Sequence, residues 1–235
     1  MIQLVCRYFS GLIFCIGLSA IPAVNAQQNA LYIERSFQKY KRELRRHPYL
    51  EMVELKSRIP AIIYDLRYAI ADNFMQKPMY PAGTNATFLR KPAADSLLKV
   101  QQELTKEGLG IKVFDAYRPY SVTQHFWELV KDERYVANPA KGSNHNRGTS
   151  IDLTLIDLRS GKELDMGTGF DNFSDTAHHD FKQLPQHVLY NREKLKTLMS
   201  KFGFAPLSTE WWHYTYQSNL KFNVLDISFK KLSLK

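Results

Sequence analysis

The chain has 235 residues, 44% of them hydrophobic, with a formal charge of +9 and two cysteines. That length suits one ordinary domain. Both cysteines, Cys6 and Cys15, fall in the first 26 residues, so the remainder has no disulfide framework and must rest on its hydrophobic core.

Arg7 is the only charge in that opening stretch, and an apolar run from Gly11 to Ile21 follows it. Pro22 and the small-residue ending Val24-Asn25-Ala26 complete the order of a secretory signal, with cleavage expected after Ala26 and a periplasmic mature protein. The apolar run is shorter than the ~20 residues that span a bilayer. Phe14, bulky beside Cys15, argues against a lipoprotein anchor, and no later segment has the apolar length to cross a membrane.

Residues 30–46 read as an amphipathic helix, with Leu31, Ile33, Phe37, Tyr40 and Leu44 near helical spacing and His47-Pro48 as its stop. Its Lys39, Lys41, Arg42, Arg45 and Arg46 hold much of the basic excess, with Lys230, Lys231 and Lys235 at the other end. They read as a solvated face rather than a nucleic-acid footprint. Short strands are expected at 52–55 and 62–66, then a turn-rich connection over 73–86 carrying Pro78, Pro81 and Gly83. Pro92 opens a helix to about Glu107, closed by Gly108 and Gly110.

A strand at 111–114 follows, and Ser121 is the expected N-cap of a helix through Val130. A polar loop over 134–147 feeds a strand at 150–156, and Arg159 to Lys162 reads as a hairpin turn. A long loop, 167–183, precedes a helix from Pro185 to Lys201, and an aromatic strand covers 209–216. The whole is expected to be one α+β domain over 27–235, with a mainly antiparallel central sheet flanked by helices and a catalytic core over about 50–220.

Three segments carry chemistry. In Ser143-Asn144-His145-Asn146-Arg147-Gly148-Thr149-Ser150-Ile151-Asp152, His145 ends a loop and Asp152 sits in an apolar strand. A carboxylate buried there needs a partner, either a metal cation or an arginine such as Arg118 or Arg147. In Glu210-Trp211-Trp212-His213, the histidine is either a third metal ligand or a core residue beside two tryptophans. Glu210 is near enough to take a proton from an activated water if it sits at the turn opening the strand. In Phe114-Asp115-Ala116-Tyr117-Arg118-Pro119, Arg118 leaves a strand end and can offer its donor fork to a carboxylate or oxyanion.

Taken together and in order, these segments resemble the D-Ala-D-Ala dipeptidase family, the VanX-like zinc D,D-peptidases related to D,D-carboxypeptidases and to the hedgehog-type fold. Leu66-Arg67-Tyr68-Ala69, Asp72-Asn73-Phe74, Met166-Gly167-Thr168-x-Phe170-Asp171 and His178-His179 extend the resemblance over nearly the whole mature chain. It implies one zinc held by His145, Asp152 and His213, with Glu210 as general base and Arg118 stabilising the tetrahedral intermediate. It implies further that Asp115 and Asp171 grip the ammonium of a free dipeptide and that Ser143 and Tyr68 contact substrate. His178-His179 reads as loop structure or outer support, since the family takes its ligands elsewhere.

The expected partner is therefore a small dipeptide, not nucleic acid or membrane. One alternative is a zinc D,D-carboxypeptidase or endopeptidase for longer wall peptides, which would lack acids on the amino side. A remoter one is a non-catalytic zinc-dependent binding module, which would need neither Glu210 nor Arg118.

Overall fold

The computed structural model describes residues 30–234, and the expected leader and its cleavage point lie outside them. Strand β1 (Ile33–Glu34) precedes helix α1 (Phe37–Arg46), and β2 (Met52–Glu54) runs into the one-turn α2 (Leu55–Arg58) before β3 (Ile63–Tyr64). Next come β4 (Phe88–Arg90), α3 (Lys91–Lys106), β5 (Leu109–Asp115) and α4 (Tyr120–Leu129). Then follow α5 (Asn144–Arg147), β6 (Ser150–Asp157), α6 (Gln186–Lys201), β7 (Phe204–Leu207), β8 (Glu210–Tyr216), β9 (Val224–Leu225) and α7 (Phe229–Leu232).

The central sheet has the order β3-β5-β6-β8-β7. Only the short β3 runs parallel to its neighbour, so the sheet is mainly antiparallel as expected. Along β6 the pleat sends Ile151, Leu153 and Leu155 into a core shared with Leu97, Val100 and Leu104 of α3 and Leu195 and Met199 of α6. Asp152 points to the opposite face, and the register sets it directly across from His213 of β8. Ser150 and Thr215, one pair further along, join their hydroxyls at 2.6 Å on the same polar face. One face of the sheet thus holds the core and the other is free for chemistry.

Several expectations are corrected. The helix does not begin near Ala30, because Ile33 and Glu34 pair in parallel with Val224 and Leu225. Glu34 then accepts from the Ser36 N–H at 2.8 Å, and Ser36 caps α1 by accepting from Lys39. Beyond residue 220 the chain still packs, with Val224, Leu225, Ile227, Phe229 and Leu232 buried. Ser121 is not the cap of α4, which starts at Tyr120 after Pro119. Asp226 reaches that helix start instead, accepting from the Ser121 N–H at 3.1 Å and its hydroxyl at 2.9 Å.

Gly110 lies inside β5 rather than closing α3, and a Cβ there would meet Leu158 Cδ2 at 2.6 Å. The loop over 134–147 ends in α5, so His145 rides a helical turn. Three strands, β4, β7 and β9, had no signal: β4 is three residues long, β9 two, and β7 contains Pro206, which only an edge strand tolerates. The five basic residues of α1 and its preceding turn are solvent-exposed as expected. Among the described residues, no helix is long and apolar enough to cross a membrane.

Candidate active site

Local chemistry explains the motif around His145. Ser143 accepts from the His145 N–H at 3.1 Å while its own N–H donates to Asn146 Oδ1 at 2.8 Å, closing a capping box around α5. Gly148 ends the turn at φ +70°, with Met52 Cε only 2.6 Å from where a Cβ would stand. Asn146, fully buried, donates to the Arg118 carbonyl and to Thr123 Oγ1, both at 2.8 Å. It ties the turn bearing His145 to the turn bearing Arg118.

His145 Nδ1 donates to the Ala116 carbonyl at 2.7 Å, which leaves Nε2 with its lone pair. That Nε2 faces His213 Nδ1 at 3.2 Å and Asp152 Oδ2 at 3.5 Å, and His213 Nδ1 faces Asp152 Oδ1 at 2.9 Å. The three ligand atoms lie within 4.8 Å of one another. Burial opposes ionisation of Asp152, yet the two imidazoles hold its carboxyl well below the usual range. Two imidazole nitrogens and one carboxylate, with an outer carbonyl fixing the tautomer, are a donor set that fits zinc. Of the competing arginine partners, Arg118 Nη2 makes only a long ion pair with Asp152, at 3.9 Å, and Arg147 donates to the Ser143 and Lys141 carbonyls instead.

Glu210 opens β8 where its register with β7 shifts, so a bulge at the strand start aims the carboxyl toward the ligands. Its Oε2 is 3.9 Å from His213 Nδ1 and the residue is 6% exposed. Burial, with the Asp152 carboxylate second, pushes Glu210 up to about 8.

These groups line a cavity of about 180 Å³ together with Arg118, Tyr68, Ser143 and Asp171. That is below the ~300–1,000 Å³ of pockets for drug-sized ligands. Aromatic rings from separate loops enclose it, with Phe173 packing at 5.5 Å from Phe74 and 4.9 Å from Tyr135 between ring centroids. Asp171 stands at φ +58°, and Tyr68 donates its hydroxyl to the Asp171 carboxylate, 3.1 Å from each oxygen. Burial and the nearby Asp152 push Asp171 well above the usual carboxylate range, an environment that calls for a cationic partner.

Asp115 is a correction. Its carboxylate is 0% exposed and is not part of the cavity wall. One oxygen accepts from the Tyr80 hydroxyl at 2.6 Å and the other from Arg118 Nε at 3.0 Å and Nη2 at 2.8 Å. So engaged, Asp115 stands as the counter-ion of Arg118, while Asp171 lines the cavity. His178 and His179 also lie away from the cavity, His178 giving its carbonyl to Arg192 of α6 and His179 packing on Tyr214. Sequence reasoning missed Asn146 and Tyr80. The first carries a weak capping-box signal, three residues after Ser143, and the second lies in a turn-rich loop with no pattern to mark it.

D-alanyl-D-alanine dipeptidase of Escherichia coli (strain K12) is 38% identical over 164 residues, covering 70% of this chain and 83% of that protein. The D-alanyl-D-alanine dipeptidase of Enterococcus faecium is 31% identical over 174 residues, 66% of this chain and 86% of that one. Among solved structures, VanYB in complex with D-Alanine-D-Alanine aligns with a TM-score of 0.39 and 16% identity, over 57% of this chain and 75% of that chain. The D-ala-D-ala dipeptidase profile of the M15 peptidases matches residues 49–231. The chain belongs to the D-ala-D-ala dipeptidase family of M15 peptidases.

Proposed function

We propose that this protein is a zinc D,D-dipeptidase that hydrolyses D-alanyl-D-alanine to two D-alanines, exported by its first 26 residues to work on cell-wall peptides in the periplasm. The observation that carries the reading is one small cavity lined by both the His145, Asp152 and His213 donor set and the acid Asp171. The first suits a metal-assisted hydrolysis and the second a free ammonium.

His145, Asp152 and His213 would hold a zinc ion, which would supply Lewis acidity for the scissile carbonyl and lower the pKa of the attacking water. Glu210 takes the proton from that water and returns it to the leaving amine. Arg118, its guanidinium pinned on Asp115, meets the negative charge that grows on the carbonyl oxygen. Asp171, oriented by Tyr68, holds the substrate ammonium, and the Ser143 hydroxyl is available to donate to the substrate carboxylate. No serine or cysteine nucleophile is required.

A carboxypeptidase reading needs room beyond the amino side of the scissile residue. Phe74, Phe173 and Tyr135 line the cavity, and the dipeptidase reading takes them as the limit of its amino side. The test is D-alanine release by the zinc-loaded mature protein from D-Ala-D-Ala, with L-Ala-L-Ala as control. No release from the D,D-dipeptide would overturn the reading. The export proposal predicts a secreted product beginning at Gln27, and a product retaining Met1 would refute it.

A further inference from the structure

The Arg118 guanidinium is clamped from several sides. Its Cζ lies 5.1 Å from the centre of the Tyr68 ring and 4.7 Å from that of Phe126, while Asp115 Oδ2 accepts from Nε and Nη2. The remaining oxygen of Asp115 is not free. It accepts at 2.6 Å from the hydroxyl of Tyr80, a residue 4% exposed that takes no part in the cavity wall.

Tyr80 is itself firmly placed. Its ring packs on Phe229 at 4.7 Å and on Tyr68 at 5.9 Å, and its N–H donates to the Tyr68 carbonyl at 2.9 Å. Tyr80 and Tyr68, joined through main chain, thus brace the arginine and its counter-ion. Asp115 also has a competing donor, since its Oδ2 is 3.7 Å from His145 Nδ1, whose proton is needed on the Ala116 carbonyl.

We propose that Tyr80 is a positioning residue for catalysis: its hydroxyl holds Asp115 in the rotamer that fixes Arg118 in the cavity wall and keeps Asp115 from drawing on His145. Without that hydroxyl, a buried carboxylate oxygen has lost its partner and the side chain turns to seek another. The arginine then loses the orientation that makes its charge useful to the reaction. The inference rests on the proposed hydrolysis for its kinetic arm but not for its structural one.

Tyr80→Phe keeps the ring packing and removes only the hydroxyl. In the zinc-loaded enzyme it should lower kcat by roughly 10- to 100-fold, the scale of losing an outer partner of a site. KM should stay within about twofold and zinc content should not change. In an Arg118→Ala background the same substitution should cost less than about twofold, because its effect runs through that arginine. Equal losses in both backgrounds, or no loss of kcat in the first, would overturn the proposal. Asp115→Asn should reproduce the loss and its dependence on Arg118, and this variant decides the matter if Tyr80→Phe does not fold.

A second readout needs no turnover. In zinc-free protein the Arg118 Nε–H resonance should exchange with solvent at least ~10-fold faster in Tyr80→Phe, and unchanged exchange would overturn the proposal. If the native enzyme did not cleave D-Ala-D-Ala, the functional reading would fall while this measurement still decided the role of Tyr80.

Discussion

His145 gives its Nδ1 proton to the main-chain carbonyl of Ala116 at 2.7 Å, and that bond decides which ring nitrogen faces the cavity. A carbonyl can only accept, so in the neutral ring the lone pair lies on Nε2. The site is therefore arranged to receive a cation through Nε2 of His145 and Nδ1 of His213. His213→Ala should lose most of its bound zinc in metal analysis, along with activity. Full zinc occupancy with unchanged turnover in that variant would remove His213 from the ligand set.

Glu210 is placed to move a proton rather than to bind metal, since it stands outside the cluster of three ligand atoms. Glu210→Gln should retain zinc and lose about 10²- to 10⁴-fold in kcat, the usual scale of general base catalysis. Near-normal turnover by a zinc-loaded Glu210→Gln enzyme would mean that another group activates the water.

Asp171 holds a left-handed backbone that asparagine tolerates almost as well, so Asp171→Asn isolates the charge. Loss of one partner of a buried, hydrogen-bonded ion pair costs about 2 kcal/mol or more. That corresponds to a fall of at least ~30-fold in kcat/KM for the free dipeptide. An Asp171→Asn enzyme with the native specificity constant would show that the ammonium binds elsewhere.

The site segments were legible through the resemblance they carry together, since each is short and locally determined but alone left another reading open. Ser143, Asn146 and Gly148 form a self-contained capped turn, and period-two alternation around Asp152 separates the ligand from Ile151 and Leu153. The pairing of Asp152 with His213 was not legible, because it depends on a register between strands about sixty residues apart. Asp115 shows the converse failure. Its place in a recognisable segment suggested a substrate contact, but a strand-end acid three residues before an arginine is as readily its counter-ion, and only burial and the Tyr80 hydroxyl distinguish the two. The N-terminal helix was overextended for a similar reason: Ile33 fits a helical stripe, yet β9, nearly two hundred residues away, offers it a strand partner.

His179 gives the fold an acid sensitivity separate from the site. Burial, with Lys196 and Arg192 adding to it, depresses its folded-state value to about 4, and its Nε2 is buried without a partner. The unfolded chain takes up this proton near pH 6.5. Between about pH 6.5 and 4 the unfolded state binds more protons, so stability falls as pH falls, by at most roughly 3 kcal/mol from this residue. Above pH 6.5 the residue contributes no slope. Urea titrations of a folded His179→Gln variant should show a flatter loss of stability over that window than the native protein. Parallel slopes would contradict the assignment.

The central claim is that the cavity is built for a free dipeptide, with Asp171 as the partner of its ammonium. Acetylating the amine removes the positive charge that Asp171 would pair and adds bulk at that end of the dipeptide. The most direct test is the ratio of kcat/KM for D-Ala-D-Ala and N-acetyl-D-Ala-D-Ala with the zinc-loaded enzyme. A ratio of at least ~30 in favour of the free dipeptide is the predicted result, the same loss of charge pairing as in Asp171→Asn. Comparable values for the two substrates would contradict the dipeptidase claim and favour a carboxypeptidase.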